Sequence, residues 1–357
     1  MHAREPWADS RGACREPRAR VALSVVFGAL CAYALWSAVV ALLIWNPTGY
    51  VRHPILGRIS RPGLYIHGVE GFSWSRINSI GLRGPEVAPK RAGEKRVLFL
   101  GDSFTQGIQV PLSRTFAARV GDRLGDDGVK ATVVNAGYSG ASPADYIGLS
   151  RWYQGTMAPD ATVVQMSKQD FAGDIDNPER NFYVKRAGGE YVLVANTEFV
   201  SSDPLLRRFK WLTPLRDVAL LSLAVQNVEK AVTARGAAPE PSEAQVATVA
   251  DEPLIEWTIE ELARSYPNLV ILYLPHTNYL NGAPAPDPIA VAVQNAAADQ
   301  DVEFVDVTQP LAEQFTGDHV APTGFANSMP GVGHLNAAGH ETVAAQLTPV
   351  IERILGR

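Results

Sequence analysis

Apolar and polar positions fall into two kinds of block along this chain. Short, mostly apolar runs recur near 96–101 (RVLFLG), 131–135 (ATVVN), 161–166 (ATVVQM), 268–274 (NLVILYL) and 303–307 (EFVDV). Runs of that length predict strands buried on both faces, as in a parallel sheet. Longer stretches with apolar residues at helical spacing lie near 113–125, 142–156, 252–265, 286–299 and 336–355. Strand and helix taken in turn predict an α/β domain whose parallel sheet is covered on both faces.

Three stretches stand outside that alternation. From Val21 to Trp45 no residue is charged. At 1.5 Å per residue this run exceeds the ~30 Å hydrocarbon core of a bilayer, so it predicts a transmembrane helix. Trp45 and Tyr50 are placed like an interfacial belt. Arg4, Arg11, Arg15, Arg18 and Arg20 precede the run, and Arg52, Arg58 and Arg61 follow it. The excess before it predicts residues 1–20 as a cytoplasmic tail and the large domain outside the cytoplasm. A cleaved signal peptide ending near Ala32-Tyr33-Ala34 is the competing reading, but the apolar run continues well past that point.

Residues 46–95, rich in Pro, Gly and Arg with short aromatic pieces (GLYIHGVEGFSW), read as an irregular or short β lead-in to a domain over 96–357. His53 and His67 within it read as surface or packing residues. An insertion of about 175–250 separates the third and fourth strands. It opens with a predicted hairpin, 182–196 (FYVKRAGGEYVLVAN), turning at Ala187-Gly188-Gly189. Thr213-Pro214 then starts a helix whose stripe is Val218, Leu221, Val225 and Val228, behind the basic and aromatic LLRRFKWL. That helix suits either a cap on the core or an interfacial helix on anionic lipid. Residues 236–251 have linker composition.

Composition narrows the function. The formal net charge of −5 over 357 residues, with no long basic run, argues against a nucleic-acid partner. Cys14 and Cys31 are the only cysteines, so the sheet region needs neither a disulfide framework nor a Cys-ligated zinc. His334 and His340 do not form an HExxH arrangement and no GxxxxGK[ST] run occurs. Neither a metal nor another cofactor is therefore expected.

The candidate chemistry sits at the first strand, in VLFLGDSFTQG (Val97–Gly107). Ser103 follows the strand's carboxyl end, where open α/β sheets place ligands, and is a candidate nucleophile. This stretch resembles the first block of the GDSL/SGNH hydrolase superfamily. The resemblance implies a flavodoxin-like three-layer sandwich and an acyl-serine esterase. NAGYSG (Asn135–Gly140) resembles the second block and implies that Gly140 N–H, with Ser103 N–H, holds the oxyanion. The third block, Gly-x-Asn-Asp in the family, falls on Ser167, Lys168, Gln169 and Asp170. It implies the Gln169 amide as the third donor, on a side chain one methylene longer. HLNAAGH, opening at His334 before the last helix, resembles the fifth block and implies His334 as the base. His340 then falls on the helix itself, and His276 after the fourth strand is the second choice for the base. The family's acid three residues before the histidine is missing, because Gly331 stands there. Asp318 is the candidate replacement, Asp170 a weaker one, and a Ser-His dyad the third possibility. NSIGLR (Asn78–Arg83) resembles a segment that precedes the first block in membrane-anchored bacterial members.

The resemblance implies an O-acyl, above all O-acetyl, group on a cell-envelope or exported polysaccharide, or a small ester, as substrate. An O-acyltransferase using the same serine is one alternative. A non-catalytic envelope scaffold with a degenerate site is the other.

Overall fold

The computed structural model describes residues 15–43, 50–53, 55–68, 70–171, 177, 180–196, 252–275 and 287–356. The chain divides into two compact units, one holding the N-terminal helix and the other beginning at Asn46 and holding every strand among the described residues. The helix, α1, spans Arg15–Leu43. Its stretch Ala19–Trp36 is long and apolar enough to cross a membrane, with mean hydropathy 1.7 and none of it buried within the protein.

In the larger unit the lead-in forms two antiparallel hairpins. The first pairs β1 (Tyr50–His53) with β2 (Gly57–Ser60), the second β3 (Gly63–His67) with β4 (Ser73–Ile77). The five apolar runs then become β5 (Lys95–Leu100), β6 (Ala131–Asn135), β7 (Ala161–Met166), β10 (Leu269–Tyr273) and β11 (Glu303–Asp306). The intervening β8 (Phe182–Ala187) and β9 (Glu190–Ala195) form the hairpin expected at the head of the insertion. The five form one sheet in the order β6-β5-β7-β10-β11, all neighbours parallel. Numbered in chain order, the five strands lie 2-1-3-4-5 across the sheet, the flavodoxin-like arrangement. The helix with the Val218 stripe lies outside the described residues, as does His276.

Period-two alternation splits the strand side chains between two cores. Leu98, Leu100, Val164, Met166, Ile271 and Tyr273 face one layer. That layer is built from α4 (Pro143–Gly148), α5 (Ser150–Met157), α6 (Glu252–Ser265) and α7 (Pro288–Asp299). Val97, Phe99, Val163, Val270 and Leu272 face the other. There α3 (Phe116–Asp126), α8 (Thr308–Thr316) and α9 (Ala337–Ile354) pack, following the four-residue α2 (Ser103–Gln106) at the end of β5. Every residue of β7 and β10 is buried, which is why these strands read as mostly apolar runs. The switch point lies between β5 and β7, and a ligand site is expected beyond their carboxyl ends.

Candidate active site

Beyond β5 the chain turns through Gly101-Asp102-Ser103 into α2. A Cβ on Gly101 would overlap the Thr105 hydroxyl and crowd Gln165 Oε1, so no larger residue fits. Asp102 Oδ1 caps α2 by accepting from Phe104 N–H at 2.8 Å. Burial outweighs the cap bond and neighbouring His334, both of which favour the carboxylate, and leaves the Asp102 carboxyl raised to about 6. Two sheet-end amides brace the turn. Gln165 Oε1 accepts from Asp102 N–H at 3.2 Å and from Thr105 Oγ1 at 3.1 Å. Asn135 donates to the Thr105 carbonyl at 2.7 Å and accepts from Gly137 N–H at 2.9 Å.

The NSIGLR segment braces it from the other side. Asn78 Oδ1 accepts from Leu82 N–H at 2.9 Å, closing a tight turn that delivers Arg83. The buried Arg83 guanidinium donates to the carbonyls of Gln106, Gly107 and Val110 and to Ser75 Oγ. Burial pushes it down to about 10. It thus ties the second hairpin to the chain just after the nucleophile loop.

Ser103 Oγ lies 2.9 Å from His334 Nε2, across 231 residues of sequence. His334 precedes α9, whose N-cap Asn336 accepts from Ala338 and Gly339 N–H. Its ring packs on Phe104, with centroids 4.8 Å apart. His334 Nδ1 meets Glu70 Oε2 at 2.7 Å, and the other oxygen, Oε1, accepts from His334 N–H at 2.7 Å. A carboxylate at Nδ1 fixes the tautomer that leaves Nε2 free to accept from the serine.

The carboxylate at His334 Nδ1 is thus Glu70 and none of the acids expected from the sequence. Asp318 is exposed on the loop after α8, and among the described residues it makes no hydrogen bond to His334. Asp170 is buried, accepting from Ser167 N–H at 2.6 Å and Ser167 Oγ at 3.1 Å. Gly331, at the family's acid position, sits at φ +83°, where an aspartate would be strained. A Cβ on Gly333 would collide with Glu70 Oε1, so the glycine before His334 makes room for the acid. One signal was available in the sequence, since Glu70 is the only acidic residue between 46 and 85. Its turn is clamped by Asn327, which accepts from Gly71 N–H at 2.7 Å and donates to the Gly68 and Gly71 carbonyls.

The remaining candidates are disposed as follows. Gly140 sits at φ +79° on the loop after β6, and its carbonyl accepts from Arg180 at 2.9 Å. Among the described residues, neither its N–H nor that of Ser103 donates to another protein group. Gln169 lies exposed on the short turn after β7. His340 is buried, with Nδ1 accepting from Phe116 N–H at 3.2 Å, so it packs and caps α3 away from the serine.

The sequence profile of the GDSL-like Lipase/Acylhydrolase family matches residues 99–342. The chain belongs to this family. It is a hydrolase of ester bonds. Solved structures similar to it include TesA, 14% identical over 73% of this chain and 99% of that one, with a TM-score of 0.40. Another is a catalytic mutant of Axe2, an acetylxylan esterase from Geobacillus stearothermophilus (15%, 74% and 94%, TM-score 0.36). A third is the lipase/acylhydrolase from Enterococcus faecalis (14%, 72% and 96%, TM-score 0.38). Among curated proteins no sequence relative matches.

Proposed function

We propose that this GDSL-family hydrolase is a membrane-anchored, extracytoplasmic serine esterase that removes O-acyl, chiefly O-acetyl, groups from an envelope or exported polysaccharide. The observation that carries the serine chemistry is the continuous relay from Ser103 Oγ through His334 to Glu70, at 2.9 and 2.7 Å. Ser103 Oγ attacks the ester carbonyl carbon while His334 Nε2 takes its proton. Glu70 stabilises the imidazolium that forms and holds the ring in register. The oxyanion is held by Ser103 N–H, Gly140 N–H and the Gln169 amide. Collapse expels the sugar alcohol, which takes the proton from His334. Water then enters, gives a proton to His334 as its oxygen bonds to the acyl carbon, and the Oγ–acyl bond breaks as His334 returns that proton to Ser103 Oγ, releasing the acid. A scaffold with a decayed site has no need of a half-buried carboxylate using both oxygens on one histidine. The membrane reading rests on α1 and on the arginine excess before it.

The test is turnover of p-nitrophenyl acetate by the full chain in detergent, beside Ser103→Ala. We expect kcat to fall on the order of 10⁴–10⁶-fold, with loss of covalent labelling by a fluorophosphonate. Equal labelling of the variant rejects Ser103. Release of acetate from an O-acetylated polysaccharide, measured against propyl and butyl esters, tests the substrate class.

A further inference from the structure

The hairpin that carries Glu70 has a second face, which the active site does not use. Along β3 and β4, Tyr65, His67, Ser73, Ser75 and Ile77 point inward and are buried. The alternate positions Leu64, Ile66, Trp74 and Arg76 therefore share the outer face. Ile66 lies opposite Trp74, and Leu64 opposite Arg76. Leu64 is 60% exposed, Trp74 70%, and Phe72 at the start of the second strand 65%. The loop that Asn327 clamps to the hairpin turn adds the exposed Met329. The solvated face of an antiparallel ribbon is normally polar. A contiguous apolar patch in its place marks an interaction surface.

We propose that this outer face rests on the interfacial region of an anionic lipid bilayer, an inference that builds on the membrane-anchored reading above. Two features select a bilayer over a glycan. Trp and Phe set among aliphatic side chains suit the water–hydrocarbon boundary, whereas a sugar platform needs hydrogen-bonding groups beside its rings. Leu64 and Ile66 supply none. Arg61 and Arg76 flank the patch, are exposed and form no salt bridge among the described residues; the Arg76 charge also acts on Glu86, and both can meet lipid phosphates. The covalent chain adds a third argument. Helix α1 ends at Leu43 and β1 begins at Tyr50, so the connection spans at most about 25 Å even when fully extended. With α1 across a bilayer, the hairpins cannot stray far from its surface. The docked hairpin is the one whose turn supplies Glu70, so the site would work on substrates held at the membrane.

The test uses the full chain in nanodiscs of phosphatidylcholine with phosphatidylglycerol. Cys14 and Cys31 are replaced by Ser, and one cysteine carries an environment-sensitive fluorophore at Trp74→Cys, Leu30→Cys or Asp126→Cys. We expect lipids bearing a nitroxide near the headgroup to quench the probe at 74 about twofold, the depth an interfacial side chain reaches. The probe at 126 stays unquenched, and hydrolysis of a small soluble ester is unchanged in the Trp74→Cys protein. Quenching at 30 by mid-chain nitroxides without quenching at 74 overturns the docking proposal and leaves the anchor standing. No quenching at either position removes the anchor and the proposal together. A probe at 74 that responds to a soluble acetylated oligosaccharide and not to nitroxide lipid assigns the face to substrate instead.

Discussion

The ends of the central strands and the turn of the second hairpin supply the same site by different means. Ser103 and the proposed oxyanion donors Gly140 and Gln169 each follow a strand of one sheet, so the pairing of β5, β6 and β7 sets where they stand. Glu70 stands in a short turn between two exposed-edged strands, held among the described residues by the Asn327 clamp, Arg83, the Ser73 hydroxyl on the Ile108 carbonyl and its own bonds to His334. The first group rests on the largest core in the molecule. The second rests on a handful of hydrogen bonds. A scaffold can therefore keep its sheet-end residues and move its acid, provided some loop can reach the histidine.

That contrast breaks most clearly at Glu70. Both of its oxygens accept hydrogen bonds, whereas an amide offers one acceptor and must turn its NH₂ toward a donor. We expect Glu70→Gln to lower kcat by about 10²–10⁴-fold with KM little changed. Glu70→Asp should recover part of the loss, because it keeps both acceptors on a shorter arm. Full activity in Glu70→Gln, with Ser103→Ala inactive, would show that the serine works without this acid. The same comparison can be made without touching a titratable group. Gly333→Ala places a methyl where Glu70 Oε1 lies and strains a backbone at φ +90°. A loss of about 10²-fold in kcat is expected, approaching that of Glu70→Gln. A wild-type rate would mean that the acid is not needed where it is seen.

On the sheet-end side, Gln169→Ala should cost about 10²-fold in kcat, the usual loss for one oxyanion donor. An unchanged rate would leave the oxyanion to the two backbone N–H groups. The smallest effect expected is on stability. Burial, with Arg83 and His334 nearby, pushes His340 down to about 3. Between that value and about 6.5 the unfolded chain takes up a proton at this residue that the folded chain refuses. His340 therefore favours folding fully above about pH 6.5, and its contribution is lost as pH falls toward 3. The raised Asp102 carboxyl acts in the opposite sense, so the effect is read by difference. His340→Asn, which keeps an acceptor near Phe116 N–H, should lose less stability than wild type between pH 7 and 4 in urea titrations.

What the sequence determined by itself is the frame and the part of the site built on it. Each predicted strand lies within about a residue of where it forms, since a strand covered on both faces is mostly apolar and flanked by polar turns. The long stretch read as one helix over 142–156 is instead two, α4 and α5, breaking at Leu149. Both halves share one apolar side, so the periodicity hides the break. Ser103 and His334 were legible because each is fixed by a local motif, a glycine turn after a strand and an asparagine cap before a helix. Gly331 announced that the acid was elsewhere, but not where. Only the tertiary structure decided that. The contact between Glu70 and His334 spans 264 residues, and no local propensity or period encodes a pairing at such separation. It is set by where the lead-in hairpin docks, which depends on Arg83, Asn327 and the space left by Gly333 acting together.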